Sequence, residues 1–134
     1  MKKIIGIISA DPNSINSEII AKAWKKKSSF AGLNILIIGN FLLLKKQFIK
    51  MGYNLPLHKI NEIKKIDFKK KLNIFDVPLK FKDPFSVSRV NKVEYIKNSF
   101  EIGLDLIDKK KIFGLINCAI NKKDFQKKEK FYGI

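Results

Sequence analysis

Two short, unbroken apolar runs, each leading through a turn into a helical period, restrict this chain to folds built on a parallel sheet. The first, residues 3–8 (Lys-Ile-Ile-Gly-Ile-Ile), has the pattern of a strand buried on both faces. Ser9-Ala10-Asp11-Pro12-Asn13-Ser14 makes the turn. Ile15, Ile19, Ile20, Ala23 and Trp24 then share one helical face, with Asn16 as the expected N-cap and Glu18 at the positive end of the helix dipole. The unit repeats. Residues 34–38 predict a second buried strand and Gly39-Asn40 a turn, while Phe41, Leu44, Phe48 and Met51 mark a helix closed by Gly52.

Pro56, Pro78 and Pro84 punctuate residues 53–88, where short strands and loops are expected and only residues 73–77 read clearly as a strand. From Arg89 onward Val93, Ile96, Phe100, Gly103 and Ile107 keep a helical spacing that ends in Asp108-Lys109-Lys110-Lys111. Residues 112–116 predict a further buried strand, 117–122 a loop at its carboxyl end, and 123–130 a short helix. Strands alternating with helices imply a three-layer α/β/α fold around a mainly parallel sheet, in which ligands bind beyond the carboxyl ends of the strands. Residues 9–16 and 117–122 lie at such ends, and the expectation is that both loops sit on the same edge of one sheet. No internal repeat, low-complexity linker or domain boundary is visible.

With 134 residues, 46% of them hydrophobic, the chain is one domain's length and rich enough in apolar residues to fold around a core. Its apolar runs are far shorter than the ~20 residues a bilayer span needs, and Asp11 and Pro12 interrupt any signal-peptide reading of the start. Cys118 is the single cysteine and His58 the single histidine, so neither an internal disulfide nor a Cys/His zinc centre can form. No membrane partner and a cytoplasmic location are therefore expected. The net charge of +16 raises the question of nucleic acid. Against it, Arg89 is the only arginine and the lysines are spread over every segment among many Ile, Asn and Phe, the residue mix of an AT-rich genome. No nucleic-acid partner is expected.

The first loop leads into a helix N-terminus, where free N–H groups favour an anion, but it contains no glycine and is neither a P-loop nor a dinucleotide fingerprint. Asp11 can touch a ligand or cap its own loop. In the second loop Asn121 can orient a ligand or stabilise its own turn, and Lys122 can meet a phosphate or stand in solvent. Cys118 has no histidine near it in sequence and reads as a small half-buried thiol; Trp24 reads as core and His58 as a surface residue.

In order and spacing the whole chain resembles the beginning of the 4-hydroxythreonine-4-phosphate dehydrogenase family of vitamin B6 synthesis. That family opens with a strand and a Gly-Asp/Glu-Pro-Ala-Gly-Ile-Gly-Pro-Glu-like turn. Asp11, Pro12, Ile15 and Glu18 match it, whereas Ala10, Ser14, Asn16 and Ser17 replace its glycines and second proline. Gly39-Asn40 and the following helix match a Gly-Asp-like turn, and Tyr95 stands at the place of a familiar tyrosine. Residues 117–122 (Asn-Cys-Ala-Ile-Asn-Lys) match a Thr-x-Pro-Ile-Asn-Lys-like loop, and Phe131-Tyr132-Gly133-Ile134 the start of a Phe-Pro-Gly-His-Thr-Glu-like segment.

The resemblance implies an isocitrate/isopropylmalate dehydrogenase-like fold, of which residues 1–134 form the N-terminal portion of one subunit, truncated within that last motif. It implies NAD-dependent (or NADP-dependent) oxidation of 4-phosphooxy-L-threonine, followed by decarboxylation, in pyridoxal phosphate biosynthesis. A divalent metal (Zn, Mg or Co) would be held by histidines outside these residues, at a site built in a homodimer. Asp11, Asn121, Lys122 and Ile134, which takes the position of a substrate-binding histidine, are the implied substrate- or cofactor-binding residues; no catalytic or metal-binding residue is implied within this stretch, and the 134 residues alone are expected to be inactive. A related dehydrogenase of 4-phospho-threonate or 4-phospho-erythronate is the nearest alternative, and a basic, non-catalytic binding module the alternative from another class.

Overall fold

The computed structural model describes residues 3–26, 33–67, 69 and 71–126. Five strands form one sheet in the order β3-β4-β2-β1-β5, and all four pairings are parallel. The strands are β1 (Lys3–Ile8), β2 (Leu33–Gly39), β3 (Leu57–Ile60), β4 (Leu72–Asp76) and β5 (Gly114–Asn117). Helices α1 (Asn16–Lys25), α2 (Phe41–Lys50), α3 (Arg89–Asp108) and α4 (Lys122–Gln126) connect or follow them. Among the described residues no helix is long and apolar enough to cross a membrane.

The twofold alternation of side chains sorts each buried strand between two cores. Ile37, Leu72 and Ile74 face α1 and α2, where they meet Ile20, Ala21, Leu44 and Phe48. Leu36, Ile38 and Ile8 face the opposite way and pack with Tyr95, Ile96 and Leu106 of α3 and with Phe125 of α4. Three layers result, as the continuous apolar runs predict.

Several local expectations need correction. Asn16 is not the N-cap of α1: Ile15 holds that position without a side-chain cap, and Asn16 is buried as the first helical residue. Only part of the predicted face of α1 points inward: Ile20 is buried and Trp24 packs against the same core. Ile15 and Ile19 are 67% and 49% exposed, while Asn16, Ser17, Ile20 and Ala21 are buried. The helix is turned because Asn16 is anchored by two backbone carbonyls, a constraint that apolar periodicity does not encode. In α3 the buried stripe is Lys92, Tyr95, Ile96, Ser99, Gly103 and Leu106, with Val93, Phe100 and Ile107 half-buried beside it. Gly39 ends β2 and Asn40 caps α2, so the expected turn is a strand running straight into a helix: the Asn40 side chain accepts from the Leu43 N–H at 2.9 Å. The last strand begins at Gly114, two residues later than predicted, since Ile112 is buried ahead of it. Residues 127–130 of the expected final helix lie outside the described residues.

Candidate functional site at the carboxyl edge of the sheet

Adjacent parallel strands must end on the same side, so the pairing of β1 with β5 brings the loops after them together. The Asn16 amide fastens them. Its Nδ2 donates to the Ser9 carbonyl at 3.0 Å and to the Ala119 carbonyl at 2.8 Å. More than a hundred residues apart in sequence, the two loops form one surface.

Asp11 lies in this surface but is largely covered, at 8% exposure. One carboxylate oxygen accepts the Asn13 N–H at 2.9 Å, and Lys92 Nζ stands 3.3 and 3.4 Å from the two oxygens. The same ammonium lies 2.8 Å from Asp124 Oδ2, and Arg89 Nε is 3.6 Å from Asp124 Oδ1. Arg89 Nη2 also donates to the Asp124 carbonyl at 2.9 Å. Two cations thus face two carboxylates, and their formal charges cancel. A buried ammonium shared between a carboxylate on the first loop and one on α4 is a fastening, because breaking it on one side leaves an unpaired charge out of water.

Other side chains hold the same loop. Asn13 exchanges two hydrogen bonds with the Val87 backbone, at 2.8 and 2.9 Å. Gln47 of α2 donates to the carbonyls of Pro12 and Pro84. Beneath it the Tyr95 hydroxyl accepts the Asn40 N–H and shares a hydrogen bond with Ser9 Oγ, both at 2.9 Å. Burial pushes the Tyr95 phenol up to about 12. Gly39 is required here, since a Cβ would run into Ser9 Oγ and the Tyr95 hydroxyl.

Asn121 and Lys122 are exposed at the start of α4. The Asn121 side chain accepts the Lys123 N–H at 3.1 Å, so it stabilises its own turn. Cys118 is half-buried and burial raises its thiol pKa. His58 is on β3 at the far edge, with Nε2 3.0 Å from the Lys65 carbonyl. Ile134 and the segment Phe131-Tyr132-Gly133 lie outside the described residues. Beside the ion-pair network a cleft of about 180 Å³ opens between α3 and α4, lined by Arg89, Val93, Glu94, Lys97 and Phe125. Among the described residues no three His, Cys, Asp or Glu side chains are grouped to hold a metal ion. Asp11 and Asp124, the two carboxylates that share Lys92, are already neutralised by it, and the described side chains do not fit a divalent metal.

Sequence reasoning missed Lys92, Asp124, Asn13, Gln47 and Asn40. One signal was present: positions 92, 96, 99, 103 and 106 also step by 4, 3, 4 and 3 residues, which places Lys92 on an inward stripe.

No family model matches this sequence, and no curated protein matches it. Solved structures do. A 4-hydroxythreonine-4-phosphate dehydrogenase from Burkholderia phymatum superposes on all of this chain with a TM-score of 0.88 at 20% identity. That decides the architecture. The fold is part of the 4-hydroxythreonine-4-phosphate dehydrogenase fold. A 4-hydroxythreonine-4-phosphate dehydrogenase from Klebsiella pneumoniae matches 92% of this chain with a TM-score of 0.76 at 18% identity. The 134 residues span 42% and 39% of these two dehydrogenase chains, so they correspond to about two fifths of each.

Proposed function

We propose that these residues are part of a subunit that oxidises a phosphorylated hydroxy acid, 4-phosphooxy-L-threonine, with a nicotinamide cofactor. The observation that carries this reading is the superposition of the entire chain on a 4-hydroxythreonine-4-phosphate dehydrogenase. The matching order of the 9–16 and 117–122 motifs supports it. In this reading the carboxyl edge contributes a preorganised wall: the Asp11–Lys92–Asp124 fastening ties the first loop to α4, Asn121 holds the turn ahead of that helix, and the exposed Lys122 faces the ligand. A cation at Lys122 suits a phosphate or carboxylate. The divalent metal and the remaining substrate contacts come from other parts of the subunit or its dimer partner, because the described residues supply no metal centre. Cytoplasmic location and homodimeric assembly belong to the same proposal.

The test is the reduction of NAD or NADP, followed at the nicotinamide absorbance, by the native-length gene product supplied with 4-phosphooxy-L-threonine and Zn, Mg or Co. Metal-dependent turnover is expected there, and none from residues 1–134 alone. Absence of turnover in the native-length product with this substrate, 4-phospho-threonate and 4-phospho-erythronate overturns the reading. Turnover by the 134 residues alone refutes the assignment of metal binding to other residues.

A further inference from the structure

Helix α4 has only five residues, Lys122–Gln126, and a helix that short has little stability of its own. The last four carbonyls of an α-helix lack an intrahelical partner, and in α4 that set includes the carbonyl of Asp124. Contacts from outside must hold it. Phe125 is buried in the core at 1% exposure, and Asp124 is gripped from α3. Lys92 Nζ takes Asp124 Oδ2 at 2.8 Å, Arg89 Nε lies 3.6 Å from Oδ1, and Arg89 Nη2 donates to the Asp124 carbonyl at 2.9 Å. The Asp124 N–H in turn donates to the Asn121 carbonyl at 3.1 Å, which links this grip to the turn carrying Lys122. The two cations act differently. An ammonium is a point charge, whereas a planar guanidinium reaches the side chain and the main chain of one residue together and so fixes orientation as well as distance. Of the 28 lysines and arginines in the chain, Arg89 is the only arginine.

The geometry points to Arg89 as a positioning residue for the anionic group of the ligand. By holding the Asp124 carboxylate and carbonyl together it sets α4 against α3, and α4 presents Lys122, its first residue, to a phosphate or carboxylate. A lysine at position 89 keeps the charge facing Asp124 but lacks the fork, so it serves the carboxylate or the carbonyl and not both. The inference rests on the proposed reading of Lys122 as a ligand contact. It adds the residue on which that contact depends, and the reason charge alone does not suffice there.

Arg89→Lys in the native-length gene product is the test, because the retained charge keeps the network neutral and the fold intact. Amide hydrogen exchange in a peptide covering residues 118–126 is expected to speed up about tenfold, for the loss of one charge-assisted hydrogen bond, while a peptide from β2 is unchanged. In steady-state kinetics with 4-phosphooxy-L-threonine and NAD, the KM of one of the two should rise about tenfold, by more than kcat falls. Lys122→Ala should raise the same KM, and the double variant should raise it no further than Lys122→Ala does. A rise for the hydroxy acid assigns Lys122 to its phosphate or carboxylate, and a rise for NAD assigns it to the pyrophosphate. Effects of the two substitutions that multiply overturn the inference, since Arg89 then acts by a route that bypasses Lys122. Unchanged exchange at 118–126 in a variant of an active parent also sinks this inference and leaves the substrate assignment standing. Faster exchange in a variant whose parent shows no turnover upholds the hold of Arg89 on α4 and sinks the substrate assignment alone.

Discussion

Replacing Lys92 with methionine removes the cation that joins Asp11 to Asp124 while keeping most of the side-chain volume. The Lys92 side chain is 9% exposed and its partners 8% and 16%, so solvent screens the network little. Breaking one side of a buried pair costs about 3–5 kcal/mol. Asp124 keeps Arg89 at 3.6 Å and Asp11 keeps the Asn13 N–H, which places the expected loss at the lower end, about 3 kcal/mol. At roughly 2.1 cal/mol/K per residue, unfolding 134 residues carries about 0.28 kcal/mol/K, so the midpoint should fall by about 10 °C. Urea denaturation is the assay: the midpoint should drop with an unchanged slope. Neutralising the carboxylates as well, in Lys92→Met/Asp11→Asn/Asp124→Asn, should recover part of the loss, because the penalty comes from stranded charge and not from lost packing. A loss below about 1 kcal/mol for Lys92→Met, the range of exposed pairs, would falsify the account of the network as a buried fastening.

The Tyr95 phenol, raised by burial to about 12 from its ordinary 10.0, contributes stability that is complete below pH 10 and is lost as the pH climbs towards 12, since the unfolded chain releases that proton first. Tyr95→Phe should therefore flatten the fall in stability between those pH values, in addition to costing about 1–3 kcal/mol at neutral pH for the stranded Asn40 N–H; an alkaline profile parallel to that of the wild type refutes this. Gly39→Ala should cost about 1–3 kcal/mol by forcing Ser9 and Tyr95 apart, and a variant as stable as the parent in urea contradicts the close approach described for that position.

What the sequence determined by itself is the layer order. Runs such as 3–8 and 34–38 are too continuously apolar to leave either face in water, and their alternation with helical periods admits only a parallel sheet sandwiched between helices. The glycine-free first loop and the Asn-Cys-Ala-Ile-Asn-Lys loop were recognisable as carboxyl-end loops for the same reason. Their adjacency was not. It depends on β5 pairing with β1, and strand order is a long-range choice that local periodicity does not contain. The roles of Asp11 and Asn121 were open for a related reason: each could serve a ligand or its own loop, and only folding brings Lys92 against Asp11 and Lys123 N–H against Asn121. Polar residues that are buried, such as Asn16, Gln47 and Lys92, are the ones pattern reading places worst. Their position is set by the single carbonyl or carboxylate that satisfies them, and that partner is chosen by the tertiary fold.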